Sequence, residues 1–216
     1  MAVIAIDGPA GAGKSTVARL LAKRLGFQYL DTGAMYRAVA LALKEAGISL
    51  ENEDEIASLL ASISIELRDE RIYLNGRDVS KAIRTPEMDL LASLVAQNET
   101  VRRFLTGLQR DFGRSKDIVA EGRDMGTVVF PETPFKFFLT ATPEERAKRR
   151  KKQLEMQGEN VLCEIILKQI KKRDKQDSER SLAPLKQALD AELIDTTGKN
   201  VETVIDKIVR SIKNGQ

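Results

Sequence analysis

An α/β fold, with a parallel sheet covered by helices on both faces, is predicted by three features of the sequence. Short apolar runs of strand length recur at residues 3–6, 27–30, 118–120, 135–139 and 193–194. Longer segments between them carry apolar residues at helical spacing. A glycine-rich turn joins the first run directly to the first helical segment. Strands that alternate with helices pair in parallel and are buried on both faces.

Taken in order, Val3-Ile4-Ala5-Ile6 reads as a buried strand. Val17, Leu20, Leu21 and Leu25 then mark a helix closed by Gly26, and residues 34–46 a strongly apolar helix closed by Gly47. Asn52 is placed to cap a helix running to about Ser62. The texture then changes. Ile63, Ile65 and Leu67, and after them Ile72 and Leu74, alternate with polar residues, with turn signals at Asp69-Glu70 and Asn75-Gly76. This is an antiparallel ribbon inserted into a βα chain. Thr85-Pro86 starts a helical stretch that continues to about Lys116. Thr142-Pro143-Glu144-Glu145 starts another, and Asn160 is expected to cap the helix carrying Cys163. Val201, Val204, Ile205, Ile208, Val209 and Ile212 form the apolar stripe of a closing helix.

Composition narrows the function. At 216 residues, 42% hydrophobic and 31% charged, the chain suits one soluble domain with a small insert. Its 35 basic and 32 acidic residues leave a net charge of +3, which makes no case for general nucleic-acid binding. The absence of histidine excludes His-dependent triads, His general bases and His-ligated zinc. The single Cys163 permits no intrachain disulfide, which suits a cytoplasmic protein. Flanked by Val161, Leu162, Ile165 and Ile166, it reads as a buried structural thiol. The apolar opening is cut off by Asp7 and preceded by no basic segment, so it is read as neither a signal peptide nor a membrane span.

The strongest chemical signal is Gly8-Pro9-Ala10-Gly11-Ala12-Gly13-Lys14-Ser15, followed by Thr16, which fits G-x-x-x-x-G-K-[ST]. Glycines let backbone amides turn inward around phosphate oxygens, and the following helix adds its positive end. Lys14 is placed to reach the β and γ phosphates, and the Ser15 hydroxyl to ligate Mg²⁺. The preceding strand and following amphipathic helix supply the context this pattern requires. The motif specifies a nucleoside triphosphate, not a reaction.

Four further groups bear on the acceptor. Asp31-Thr32-Gly33-Ala34-Met35-Tyr36-Arg37 follows the second strand, where ligands bind in open parallel sheets. Thr32 and Arg37 could hold a second phosphate, or serve as a helix cap and a surface charge. Glu121-Gly122-Arg123-Asp124 follows the strand at 118–120. There Arg123 can neutralise phosphate, and Asp124 can orient Mg²⁺-bound water or accept hydrogen bonds from a base. Arg146, Arg149 and Arg150 share one helix face, which is either a solvated basic face or an arginine-rich lid over the transferring group. Arg173, Asp177 and Arg180 have the spacing of one helix face, for which helix salt bridging is sufficient on spacing alone.

In this order, residues 7–16 (DGPAGAGKST), 30–37 (LDTGAMYR), 83–85 (IRT), 121–131 (EGRDMGTVVFP), 144–150 (EERAKRR) and 173–185 (RDKQDSERSLAPL) resemble the bacterial cytidylate kinase family over nearly the whole chain. DTGAMYR together with GRDMGTVVFP is far more specific than the phosphate loop. The resemblance implies a P-loop kinase three-layer sandwich with a five-stranded parallel sheet, a small antiparallel β insert and a helical lid. It implies a single domain with an acceptor-binding region at about 32–95, the insert at about 63–80 and the lid at about 144–160. The implied reaction is transfer of the ATP γ-phosphoryl group to CMP or dCMP with Mg²⁺. No long heptad or large apolar patch is legible, so the chain is expected to be a monomer, cytoplasmic and without a nucleic-acid or membrane partner. Thr32, Arg37 and Arg123 would then contact the acceptor phosphate. Ser93, Arg102 and Asp124 would read cytosine, and Arg173, Asp177 and Arg180 would line the ribose and phosphate. Lys14, Arg123, Arg146, Arg149 and Arg150 would serve catalysis, and Ser15 would hold Mg²⁺, with Asp124 acting through water. Thr32 stands where the family pattern has Ser, and it keeps the hydroxyl. The rivals are a P-loop kinase for another small acceptor and a nucleotide-dependent switch protein.

Overall fold

The computed structural model describes residues 1–68, 70–156, 158–159 and 161–215. The chain forms two compact units, one made of Met1–Tyr29 with Lys116–Gln216 and the other of Leu30–Ser115.

The first unit contains strand β1 (Val3–Asp7), helix α1 (Lys14–Leu25) and the start of β2 (Gln28–Asp31). After the second unit the chain returns with β6 (Ile118–Glu121), a π-helical turn (Met125–Val129) and β7 (Phe135–Thr140). Helices α6 (Pro143–Met156) and α7 (Cys163–Glu179), strand β8 (Glu192–Asp195) and helix α8 (Val201–Asn214) complete it. The five-stranded sheet has the order β2-β6-β1-β7-β8. Central β1 pairs in parallel with β6, Ile4 opposite Val119, and with β7, Ile6 opposite Phe137. β8 extends the sheet in parallel from β7.

Both helices flanking β1 bury the faces their periodicity defines. Val17, Ala18, Leu21 and Ala22 of α1 and Val204, Ile205, Ile208 and Ile212 of α8 share one core with Ile4, Ile6, Val119, Phe137, Leu139 and Ile194. A smaller core of Ala147, Leu154, Ile166 and Ile170 joins α6 to α7. Gly26 closes α1 and the Thr142 hydroxyl accepts from Glu145 N in α6, as the sequence signals indicate, and the structure adds Asn200, which accepts from Thr203 N at the start of α8.

The second unit holds α2 (Thr32–Ala46), α3 (Glu53–Ser62), the strands β3 (Ile65–Arg68), β4 (Arg71–Leu74) and β5 (Arg77–Asp78), α4 (Pro86–Val95) and α5 (Glu99–Ser115). Asp31, Asn52 and Thr85 cap α2, α3 and α4 through their side chains. The ribbon is antiparallel as expected, and Asn75-Gly76 turns with positive φ at both residues, as a tight hairpin requires.

Several expectations change. The ribbon gains a third strand, β5, too short for alternation to reveal. The helical stretch to Lys116 is two helices, interrupted at 96–98, where Asn98 accepts from Val101 N at the start of α5. The expected cap at Asn160 and the turn residue Asp69 lie outside the described residues, and α7 begins at Cys163. Cys163 is only half-buried at the edge of the α6–α7 core. Arg180 sits just past the end of α7 with extended backbone, so the trio 173, 177 and 180 does not lie on one helix.

Ile208 is fully buried in the larger core. Ile208→Ala is expected to cost about 3 kcal/mol of stability through the cavity it leaves, read as a lower urea midpoint with unchanged slope.

Candidate active site

The phosphate loop begins where β1 ends. Gly8 has φ +144°, and a Cβ there would stand 2.0 Å from the Leu139 carbonyl oxygen, so only glycine lets the loop pass so close to β7. Lys14 opens α1, is buried, and donates from Nζ to the Pro9 carbonyl at 2.9 Å. Burial, then the nearby Arg123 charge, pulls its ammonium down to about 7, against the attraction of Glu121 and Asp7.

The loop is braced at two points, Ala10 and Ala12. Arg146 of α6, only 4% exposed, donates from Nη1 to the Ala10 carbonyl at 3.1 Å and pairs with Asp174 of α7 at 2.7 Å. The Thr196 hydroxyl, just past β8, lies 3.0 Å from the carbonyls of Ala12 and Thr140. Arg149 donates to the Thr196 hydroxyl and carbonyl at 3.0 and 2.6 Å and pairs with Glu145. Arg146 and Arg149 are therefore anchored at the loop, and Arg150 is half-buried on the same helix.

Glu121, at the carboxyl end of β6, is a functional candidate that the sequence reading passed over. Its Oε1 accepts from the Ser15 hydroxyl at 2.5 Å and from the Tyr29 hydroxyl at 2.9 Å. Ser15 keeps lone pairs for a cation while its proton is held by Glu121. A hydroxyl, a carboxylate and substrate phosphates form the all-oxygen set that suits Mg²⁺, so the residues fit that ion. An acidic residue closing a buried apolar strand was the available signal.

Past Glu121 the chain carries the acceptor candidates of this unit. Arg123 Nε donates to Asp177 Oδ2 at 2.8 Å. Burial alone would raise the Asp177 pKa, but Arg123, then Arg173 and Arg180, hold it below the ordinary carboxylate value. Arg123 is itself held above the ordinary guanidinium value: burial opposes its charge and Asp177 outweighs burial. Asp124 is buried, with Arg180 Nη2 at 3.8 Å. Arg180 is fixed by donating from Nε to the Ala183 carbonyl at 2.8 Å. The structure thus gathers Arg123, Asp124, Asp177 and Arg180, with Arg173 close enough to act on Asp177.

The second unit has its own arginine cluster. Asp31 caps α2 by accepting from Ala34 N at 2.8 Å, and its other oxygen takes Arg84 Nη2 at 2.6 Å. Burial would raise the Asp31 carboxyl, but Arg37 and Arg84 hold it below the usual range. Arg37 lies 3.8 Å from Asp89 and packs over Gly33, where a Cβ would meet its Nη1 at 3.0 Å. Thr32 is buried at the start of α2. Arg102 is buried, donates to the Ala96 carbonyl at 3.3 Å and lies over the Tyr36 ring at 5.8 Å. Ser93 is one turn before Ala96 on α4. Arg84, quoted in the IRT segment without a role, belongs to this cluster.

Asp7 is buried, and its two oxygens accept from Met125 N and Gly126 N at 2.9 and 2.8 Å. Burial raises its pKa from 3.8 to about 6 against those two amides, with Asp124 adding to the rise and Lys14 opposing it. The folded chain therefore takes up this proton more readily than the unfolded chain. The charge is a cost above pH 6 that is relieved as pH falls from 6 toward 4. The melting temperature of the protein relative to its Asp7→Asn variant is accordingly expected to rise between pH 7.5 and pH 5, measured by paired thermal melts.

Known proteins give this geometry a family. The family model described as Cytidylate kinase matches residues 4–214. The cytidylate kinase of Thermosipho melanesiensis is 51% identical over 97% of this chain and 96% of its own. That of Carboxydothermus hydrogenoformans is 49% identical over the same shares, and that of Thermotoga maritima is 48% identical, again over 97% and 96%. Among solved structures, an uncharacterized protein from Eubacterium ventriosum aligns over 99% of both chains with a TM-score of 0.57 at 16% identity, a likeness of fold alone. The chain belongs to the cytidylate kinase family.

Proposed function

We propose that this protein transfers the γ-phosphoryl group of ATP to CMP and dCMP, giving CDP or dCDP and ADP. The observation that carries the reading is full-length membership of the cytidylate kinase family together with a braced phosphate loop and a cluster of paired arginines after β6.

In this reading the backbone amides of residues 8–16, apart from Pro9, which has no N–H, and the Lys14 ammonium hold the ATP phosphates. Ser15 and Glu121 hold Mg²⁺, which supplies positive charge to the β and γ phosphates when bound. Thr32, Arg37, Arg123 and Arg173 bind the acceptor phosphate. Asp177 and Arg180 hold the ribose side. Asp124 accepts from the cytosine N4 amine, while Ser93 and Arg102 donate to its acceptor atoms. An oxygen of the acceptor phosphate attacks Pγ as the bond from Pγ to the bridging oxygen breaks, and ADP leaves. That oxygen is already anionic, so positioning and charge suffice and no histidine base is needed. Arg146 supports the loop through Ala10, and Arg149 and Arg150 supply charge to the transferring group. Uracil would set a carbonyl oxygen against the Asp124 carboxylate, two acceptors facing each other, and is rejected on that account.

The region at about 32–95 is the acceptor-binding part and that at about 144–160 the lid. We place the enzyme in the cytoplasm as a monomer without nucleic-acid or membrane partners. Among the described residues no helix is long and apolar enough to cross a membrane.

The deciding experiment is turnover of CMP, dCMP, UMP, AMP and GMP with ATP and Mg²⁺. CMP and dCMP are expected to react fastest, and faster turnover of any other acceptor overturns the reading. Asp124→Asn should lower discrimination of CMP over UMP by about 10–100-fold while the KM for ATP holds. Glu121→Gln should weaken Mn²⁺ binding to the enzyme–ATP complex, followed by electron paramagnetic resonance, and leave metal-free ATP binding nearly unchanged.

A further inference from the structure

Residues 122–126 are pinned to β1 at both ends. Gly122 N donates to the Ile6 carbonyl at 3.0 Å. Met125 N and Gly126 N donate to the two oxygens of Asp7, more than a hundred residues away in sequence. Only Arg123 and Asp124 lie between the pins. These are the two residues of the loop given roles toward the acceptor.

The Asp7 contact has a local cause. The π-helical turn satisfies its later amides internally: Val128 N and Val129 N reach the Asp124 carbonyl, and Phe130 N reaches that of Met125. The amides of Met125 and Gly126 open the turn, where no earlier carbonyl is in reach. A buried carboxylate meets both, one oxygen to each. The turn also has no room to slide. A Cβ on Gly126 would lie 3.2 Å from the Lys136 side chain and 3.5 Å from Asp7 Oδ2. Lys136 is itself fixed, donating to the Pro131 carbonyl and to Asp190 at 2.6 Å each.

We propose that Asp7 is a positioning residue for acceptor recognition: through the amides of Met125 and Gly126 it fixes where Asp124 presents its carboxylate to the cytosine. This rests on the reading that Asp124 contacts CMP. Asp7 is followed directly by Gly8, so Ile6 and Asp7 begin the donor loop and also bracket the acceptor-reading pair. The register between the two is set by two residues of one buried strand. Displacement of a positioning group by about 1 Å can cost about 10²-fold in rate.

In Asp7→Asn one oxygen becomes an NH₂ facing an amide N–H, so one hydrogen bond is replaced by a clash of donors. Discrimination of CMP over UMP should fall about tenfold and the KM for CMP rise by a similar factor, while the KM for ATP changes less than about twofold. Gly126→Ala disturbs the same turn, chiefly against Lys136, while leaving the Asp7 carboxylate chemically unchanged, and should lower discrimination about threefold. It also decides the matter if Asp7→Asn does not fold. Asp124→Asn is the reference. If it leaves CMP preference intact, the acceptor reading falls and the proposal with it. If it abolishes that preference while folded Asp7→Asn and Gly126→Ala retain it, Asp7 has no positioning role. A uniform loss of ATP and CMP affinity in Asp7→Asn would likewise overturn the proposal.

Discussion

Pairing of β1 on both edges is the constraint on which the first unit depends. A strand bonded to β6 on one side and β7 on the other, with α1 and α8 packed on its side chains, cannot shift along its length without breaking register and core together. Its carboxyl end is therefore a fixed point. The phosphate loop leaves from it, Gly122 bonds to its last-but-one carbonyl, and the π-helical turn hangs on its final side chain.

Around this point the arginines are not free positive charges. Arg123 is matched by Asp177, Arg146 by Asp174 and Arg180 by Asp124, and in the second unit Arg84 is matched by Asp31. The guanidinium groups of Arg123, Arg146 and Arg180, largely withdrawn from water, need such partners, because an isolated charge taken out of water is costly, whereas Arg84 is exposed. The carboxylates keep the arginines oriented, and an arriving phosphate must compete with them. Helix α7 therefore contributes negative charge at two places, Asp174 beside the arginine that braces the loop and Asp177 beside Arg123.

Most of the fold was legible because it rests on local signals. The five apolar runs are the five sheet strands, and Gly26, Gly47, Asn52 and Thr85 close or cap the helices they were read to close or cap. What escaped depends on partners distant in sequence or on segments too short for a period. Two-residue β5 has no alternation to detect, and the break before α5 is made by an asparagine cap inside a continuous apolar pattern. The donor loop was legible because its chemistry is local to eight residues. Glu121 and Asp7 were not, since their partners Ser15, Tyr29, Met125 and Gly126 meet them only once the sheet has formed. The Arg146–Ala10 and Thr196–Ala12 contacts could not be inferred from helix spacing for the same reason.

The bond from Thr196 to Ala12 carries a consequence for the order of synthesis. The loop at residues 8–16 leaves the ribosome well before the strands that flank β1, which begin at residues 118 and 135. The hydroxyl beside Ala12 arrives later still, after the final strand. A nascent chain thus carries its nucleotide loop without this support until a residue 184 positions downstream has been made. Contacts of such sequence separation make folding slow to begin and dependent on the finished chain. A fragment ending before β8 has the full nucleotide motif and lacks the residues that hold it in shape.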